Sequence, residues 1–110
     1  MDSGRRRVTW TAEARGDLDA AVAFIAEDSL SSALLVLDRI LAAASSLHSM
    51  PERGRVVPEW DHPSVRELMV EPFRLLYFVE ENSVSVVAVI HQRRNFDRWI
   101  DDVQRRVDPR

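Results

Sequence analysis

The second half of the chain carries its clearest alternation of apolar runs and polar breaks. Phe73–Val79 and Val84–Ile90 are rich in β-branched and aromatic residues, and Glu80-Glu81-Asn82-Ser83 between them supplies a turn in which Asn82 tolerates a positive φ. A β-hairpin is predicted. The second run is apolar at nearly every position except Ser85, so both of its faces should be covered and it should lie centrally in a sheet. Val65–Val70 has strand character too, with Glu71-Pro72 separating it from the hairpin.

Near the start, Val8 and Trp10 alternate with Arg7 and Thr9, which suggests a short first strand. Thr11 then stands where an N-cap opens a helix, with Glu13 in its first turn. Leu18, Ala21, Val22 and Ile25 fall at i, i+3, i+4 and i+7, while Glu13, Asp17 and Asp19 point elsewhere. Asp28 and Ser29 interrupt the pattern before a second stripe, Ala33, Leu34, Leu37, Ile40, Leu41, Ala44 and Leu47. Two helices joined so tightly should form an antiparallel pair offering one apolar surface to a sheet. His48 to Pro63 carries Pro51, Gly54, Pro58 and Pro63 with few periodic apolar positions, so it reads as a long connection and the most mobile segment. Asn95 is placed to cap a last helix from Phe96 to about Arg106, with Phe96, Trp99, Ile100 and Val103 on one face. The predicted order is strand, two helices, three strands and a helix.

Composition narrows the chemistry. A length of 110 residues suits one domain spanning 1–110 with a single core. No apolar run approaches the roughly 20 residues needed to cross a bilayer, so no membrane association is expected. The N-terminus has basic residues without an apolar stretch behind them, and a cytoplasmic location is the default expectation. There is no cysteine, hence no disulfide, thiol nucleophile or cysteine metal site. All 15 basic residues are arginine, so lysine chemistry is absent. A formal charge of −3 argues against a surface that grips nucleic acid as a whole, though not against a local patch. His48, His62 and His91 have no metal-type spacing, and neither metal nor cofactor is expected.

Several pieces, taken in order, resemble the RelE/ParE superfamily of toxins from type II toxin-antitoxin modules. They are W-T-A-E-A-R-G-D-L at 10–18, L-H-S-M-P-E-R-G-R at 47–55, V-R-E-L-M-V at 65–70, F-R-L-L-Y at 73–77 and V-I-H-Q-R-R at 89–94. The resemblance implies an α+β fold: a small twisted antiparallel sheet with an N-terminal helical hairpin packed on it and a short C-terminal helix. That agrees with the elements read independently above. It also implies one of two activities, since RelE-like members cleave mRNA in the ribosome and ParE-like members poison DNA gyrase. In the cleaving branch, basic residues, often lysines, stand on the strand before F-R-L-L-Y, with an arginine in that motif, another after the last strand and a tyrosine or histidine near the C-terminus. Arg74 matches the motif arginine and Arg93 or Arg94 the later one. The lysine region reads Val65-Arg66-Glu67-Leu68, however, and the C-terminal aromatic falls at Trp99, whose indole has no titratable proton near neutral pH. The ending V-I-H-Q-R-R resembles ParE-like toxins more closely.

Cleavage by the RNA's own 2′-hydroxyl needs a base, cations on the phosphate and an acid for the leaving oxygen. His91 is the candidate base, and Arg66, Arg74 and Arg93 are candidate phosphate clamps because guanidinium is a bidentate donor. Each also has a structural reading: His91 ending a strand on a backbone or carboxylate partner, and Arg74 paired with Glu67 or Glu71. Tyr77 reads as core, His48 as a partner of a helix C-terminus and His62 as a solvent-facing loop residue. Arg5-Arg6-Arg7 is either a basic arm or a solvated terminus.

The expected function is therefore a ParE-like toxin inhibiting gyrase by binding, with Arg93, Arg94, Phe96 and Trp99 as the target surface. The alternatives are a ribosome-dependent endoribonuclease using Arg66, Arg74, His91 and Arg93, and an inactive homologue that binds an antitoxin. The resemblance also implies a cognate antitoxin, which wraps apolar grooves or a sheet edge and alone would contact operator DNA.

Overall fold

The computed structural model of the protein describes residues 6–60, 62–94 and 96–107. Asn95, expected to cap the last helix, and Arg5 of the basic arm lie outside the described residues. The elements run β1 (Arg7–Trp10), α1 (Ala12–Ala26), α2 (Leu30–Ser46), β2 (Arg55–Val56), β3 (Val65–Val70), β4 (Phe73–Val79), β5 (Ser83–His91) and α3 (Phe96–Val107). Both long helices begin as the sequence suggests: the Thr11 hydroxyl accepts from Ala14 N–H, and the Ser29 hydroxyl accepts from Ser32 N–H.

One five-stranded sheet has the order β1-β5-β4-β3-β2. From β5 to β2 all pairing is antiparallel, as expected, while β1 joins β5 in parallel, with Arg7 opposite Ser83 and Trp10 opposite Val86. The helical hairpin is the connection that makes this possible, since a parallel neighbour requires a crossover. β5 thus has a strand on either side, and apolar cores cover both of its faces. On one face α1 and α2 pack Ala14, Leu18, Ile40, Ala44 and Leu47 onto Phe73, Leu75, Tyr77, Val84 and Val86. On the other, Ile100 and Val103 of α3 meet Val65, Leu76, Val87, Ala88 and Ile90, with Val57 completing the cluster. Each valine, leucine, isoleucine or phenylalanine among them contributes about 1.5–3 kcal/mol when taken from water.

A register shift between Leu76 and Tyr77 explains why β5 defeats simple alternation. Leu76 faces Ala88 but Tyr77 faces Val86, so Val87 is the extra residue of a β-bulge. Val84 and Val86 precede it on the hairpin face; Val87, Ala88 and Ile90 then serve the α3 face. An uninterrupted apolar run is what a bulged strand covered on both sides demands.

The 48–63 connection departs from expectation. It contains β2, which pairs Arg55 with Glu67 and Val56 with Arg66 at the sheet edge, and its Val57 is fully buried. A two-residue strand leaves no periodic signature, so the sequence reads as loop there.

Candidate functional site

The connection is held to the sheet by side chains that the sequence motifs had made conspicuous. Tyr77 is fully buried; its hydroxyl donates to Pro51 C=O at 2.9 Å and accepts from Gly54 N–H at 2.8 Å. Burial pushes its phenol pKa upward, an effect partly offset by the Gly54 N–H and by Arg66 and Arg53 nearby. Gly54 is required by space: a Cβ there would collide with the Glu67 carbonyl oxygen and lie 2.6 Å from the Tyr77 hydroxyl. Arg66 donates to Gly54 C=O at 2.7 Å. Glu67, 2% exposed, receives Arg55 at 2.6 Å on one oxygen and Arg74 at 3.2 Å on the other. These tethers oppose the mobility expected of the segment.

A second node closes the other side of the sheet. β1 stops at Trp10, opposite Val86, so among the described residues β5 has no strand on this side beyond that point. Asp17 of α1 fills the gap by accepting from Val89 N–H at 3.0 Å, and Arg106 of α3 donates to Val87 C=O at 3.1 Å. Arg106 also grips both oxygens of Asp17, at 2.8 and 3.2 Å, and lies 5.0 Å from the centre of the Trp99 ring. Desolvation lowers the Arg106 pKa but the Asp17 hydrogen bond and the charges of Asp17, Asp102 and Glu13 outweigh it, so the net shift is upward. In the sequence Asp17 stands off the apolar stripe of its helix, with no partner indicated. Only the end of β1 reveals a backbone amide in need of an acceptor.

The candidate nuclease residues do not converge. Arg66 is opposite Tyr77 on the hairpin face, whereas Arg74 is opposite Ile90 on the α3 face. His91 is opposite Phe73, its ring 5.3 Å from that phenyl centre. Four residues along the strand and two strands across put the Arg66 and His91 backbones about 16 Å apart. The Nδ1 of His91 accepts from Arg93 N–H at 3.1 Å, which fixes the turn leaving β5. Arg94 N–H closes that turn on His91 C=O at 2.9 Å, and the side chains of Arg93 and Arg94 are exposed.

Of the remaining candidates, Trp99 is half-buried against the α3-face core. Phe96 begins α3, and its side chain lies outside the described residues. His48 sits with Nδ1 2.9 Å from Ser45 C=O at the end of α2, the interaction expected of a helix C-terminus. His62 is exposed, 5.2 Å from the Phe78 ring centre. Arg6 donates to Glu80 C=O at 2.7 Å. Among the described residues no three histidine, aspartate or glutamate side chains gather as metal ligands, and no helix is long and apolar enough to cross a membrane.

A helical hairpin on one face of a small sheet and a single amphipathic helix on the other define a small α+β protein. Residues 8–96 match the family model for the ParE toxin of type II toxin-antitoxin system, parDE, and the chain belongs to that family, within the RelE/ParE superfamily. It is 35% identical over 89 residues to Toxin RelE2 of Caulobacter vibrioides, a match covering 80% of this chain and 97% of that protein. The fold is shared with the chromosomal ParDE system of P. aeruginosa at a TM-score of 0.66 and 24% identity, covering 81% of this chain and 98% of the other. It is also shared with the toxin-antitoxin complex RelBE2 of Mycobacterium tuberculosis at a TM-score of 0.58 and 22% identity, covering 79% and 91%. The chain is thus a toxin of the ParE/RelE type, and its kin are found with an antitoxin.

Proposed function

We propose that the chain acts by binding, as a ParE-like inhibitor of DNA gyrase in the cytoplasm, and is silenced by a cognate antitoxin through which alone it meets operator DNA. The dispersal of its cations supports this reading most directly. Arg66 and Arg74 lie on opposite faces of the sheet and hold Gly54 and Glu67, so neither is poised with His91 around one phosphate. Trp99 supplies no proton where a cleaving enzyme needs one. The exposed Arg93–Arg94 turn, with Phe96 and Trp99 following it, is the surface assigned to the target. The ParE family match over residues 8–96 points the same way. The ribonuclease alternative, with Arg66, Arg74, His91 and Arg93 in its site, draws on the likeness to a relative named Toxin RelE2.

Induction without the antitoxin separates the readings when plasmid topology and ribosome-associated mRNA ends are followed together. Gyrase-linked DNA damage with intact mRNA is expected. Codon-dependent mRNA cuts that vanish in His91→Ala would replace binding with cleavage. Unimpaired growth with soluble, folded protein would make the chain an inactive homologue that binds its antitoxin.

A further inference from the structure

Beyond β5 the chain turns on two hydrogen bonds that share one residue. His91 C=O accepts from Arg94 N–H at 2.9 Å, and His91 Nδ1 accepts from Arg93 N–H at 3.1 Å. The first is the bond of a β-turn; the second, from a side chain to the amide two residues on, is the bond asparagine makes in an Asx-turn. Histidine adds what asparagine lacks, a ring that meets the buried Phe73 edge to face, with 5.3 Å between centres and 78° between planes. The next residue is anchored twice as well. Gln92 N–H donates to Pro72 C=O at 2.9 Å, and its side-chain amide donates to the Glu71 carboxylate at 3.2 Å. Arg93 and Arg94, both exposed, are therefore carried on a turn whose base is fixed to the β3–β4 connection.

These partners also decide where the imidazole proton sits. A backbone N–H only donates, so Nδ1 of His91 is bare and the neutral ring carries its proton on Nε2. His48 is the reverse: its Nδ1 lies 2.9 Å from the Ser45 carbonyl oxygen, which only accepts, so that nitrogen carries a proton. Neither nitrogen of His91 is then open to take a proton from a substrate, since Nε2 already bears one and Nδ1 is engaged by the turn. We propose that His91 is a positioning residue, its Nδ1 holding the turn that presents Arg93 and Arg94 to the target. This rests on those two arginines being the target surface proposed above. A turn ordered before contact loses less freedom on binding, so an acceptor that never touches the target still raises affinity.

Two measurements on the full chain test this. In long-range proton–nitrogen NMR spectra recorded where the rings are neutral, His91 should show a bare Nδ1 and a protonated Nε2, and His48 a protonated Nδ1. A His91 that carries its proton on Nδ1 overturns the proposal. The second measurement compares two amides of different reach. His91→Asn puts its oxygen where Nδ1 stood, whereas His91→Gln carries it one bond too far. The glutamine variant should exchange its Arg93 amide about fivefold faster and inhibit gyrase about fivefold less, the worth of one hydrogen bond, while the asparagine variant stays within about twofold of wild type in both. Equal losses in the two variants overturn the proposal, as does equal retention. The spectra need only wild type, so they decide the matter even if a variant folds poorly. A wild type that leaves gyrase uninhibited would defeat the ParE-like reading instead, and the tautomer and the Arg93 amide would still decide whether His91 holds the turn.

Discussion

At the β2–β3 corner arginines are engaged by acceptors of the fold, Arg66 by Gly54 C=O and Arg55 and Arg74 by the buried Glu67, whereas beyond the end of β5 Arg93 and Arg94 stand exposed on a two-residue turn. The side chains are chemically identical; the acceptors around them differ. An arginine in a familiar motif is evidence of function only if the fold leaves its guanidinium available. Arg74 stands in the most recognisable motif of the chain and is among the arginines its own fold engages, which ties that motif to architecture.

Gly54→Ala should break the β2–β3 corner most severely. Its Cβ would meet the Glu67 carbonyl oxygen, a backbone atom that cannot swing away, so β2 must leave β3 or both strands must shift. A loss of about 3 kcal/mol in denaturant unfolding is expected. A loss below about 1 kcal/mol would mean that the connection is far looser than its hydrogen bonds imply.

Tyr77→Phe attacks the same corner without a clash. It strands Gly54 N–H and Pro51 C=O in a buried place, costing about 2 kcal/mol. The wild type adds a pH signature. Because the phenol pKa is raised in the folded chain, its contribution is fully present below the unfolded value near 10 and is lost as pH rises through the folded value. Stability should therefore fall more steeply in wild type than in Tyr77→Phe above about pH 10. Tyr77 is the single tyrosine, so its ultraviolet titration can be followed alone. A midpoint at or below 10 would contradict the buried placement.

Arg106→Met probes the node on the opposite edge. Methionine keeps the packing bulk but leaves Asp17 and Val87 C=O without their cation, with an expected cost of about 1–2 kcal/mol. Both side chains are mostly buried, at 15% and 17% exposure, so solvent cannot fully compensate. Amide exchange at Val89 should accelerate as Asp17 is released. Unchanged exchange there would show that Asp17 caps the strand unaided.

How much of this was legible follows from the range of each interaction. The helices, the hairpin and the central covered strand were readable because their causes are local: Thr11 and Ser29 caps, the 3.6-residue stripes and the runs around Asn82. β2 was hidden because two residues cannot display a period, and β1 gave no hint that it would run parallel. The arginine pairings were half visible. Glu67 was a named candidate for Arg74, but its second partner, Arg55, depends on a strand that the sequence concealed. Asp17 and Arg106 are 89 positions apart, and only the end of β1 explains why they meet.

Arg93→Ala combined with Arg94→Ala acts at the exposed turn and sharpens the contrast from the other side. Both side chains are exposed, and the turn is closed by main-chain groups, Arg93 N–H on His91 Nδ1 and Arg94 N–H on His91 C=O, which alanine retains. Unfolding free energy should therefore move by no more than about 0.5 kcal/mol. If this surface meets gyrase, inhibition in a supercoiling assay should weaken at least about tenfold, since arginines central to an interface commonly contribute more than 1 kcal/mol. The double variant would then separate activity from stability, where Gly54→Ala couples them. A well-folded variant that inhibits as strongly as wild type would move the target surface elsewhere and leave the exposed pair as a solvated strand end.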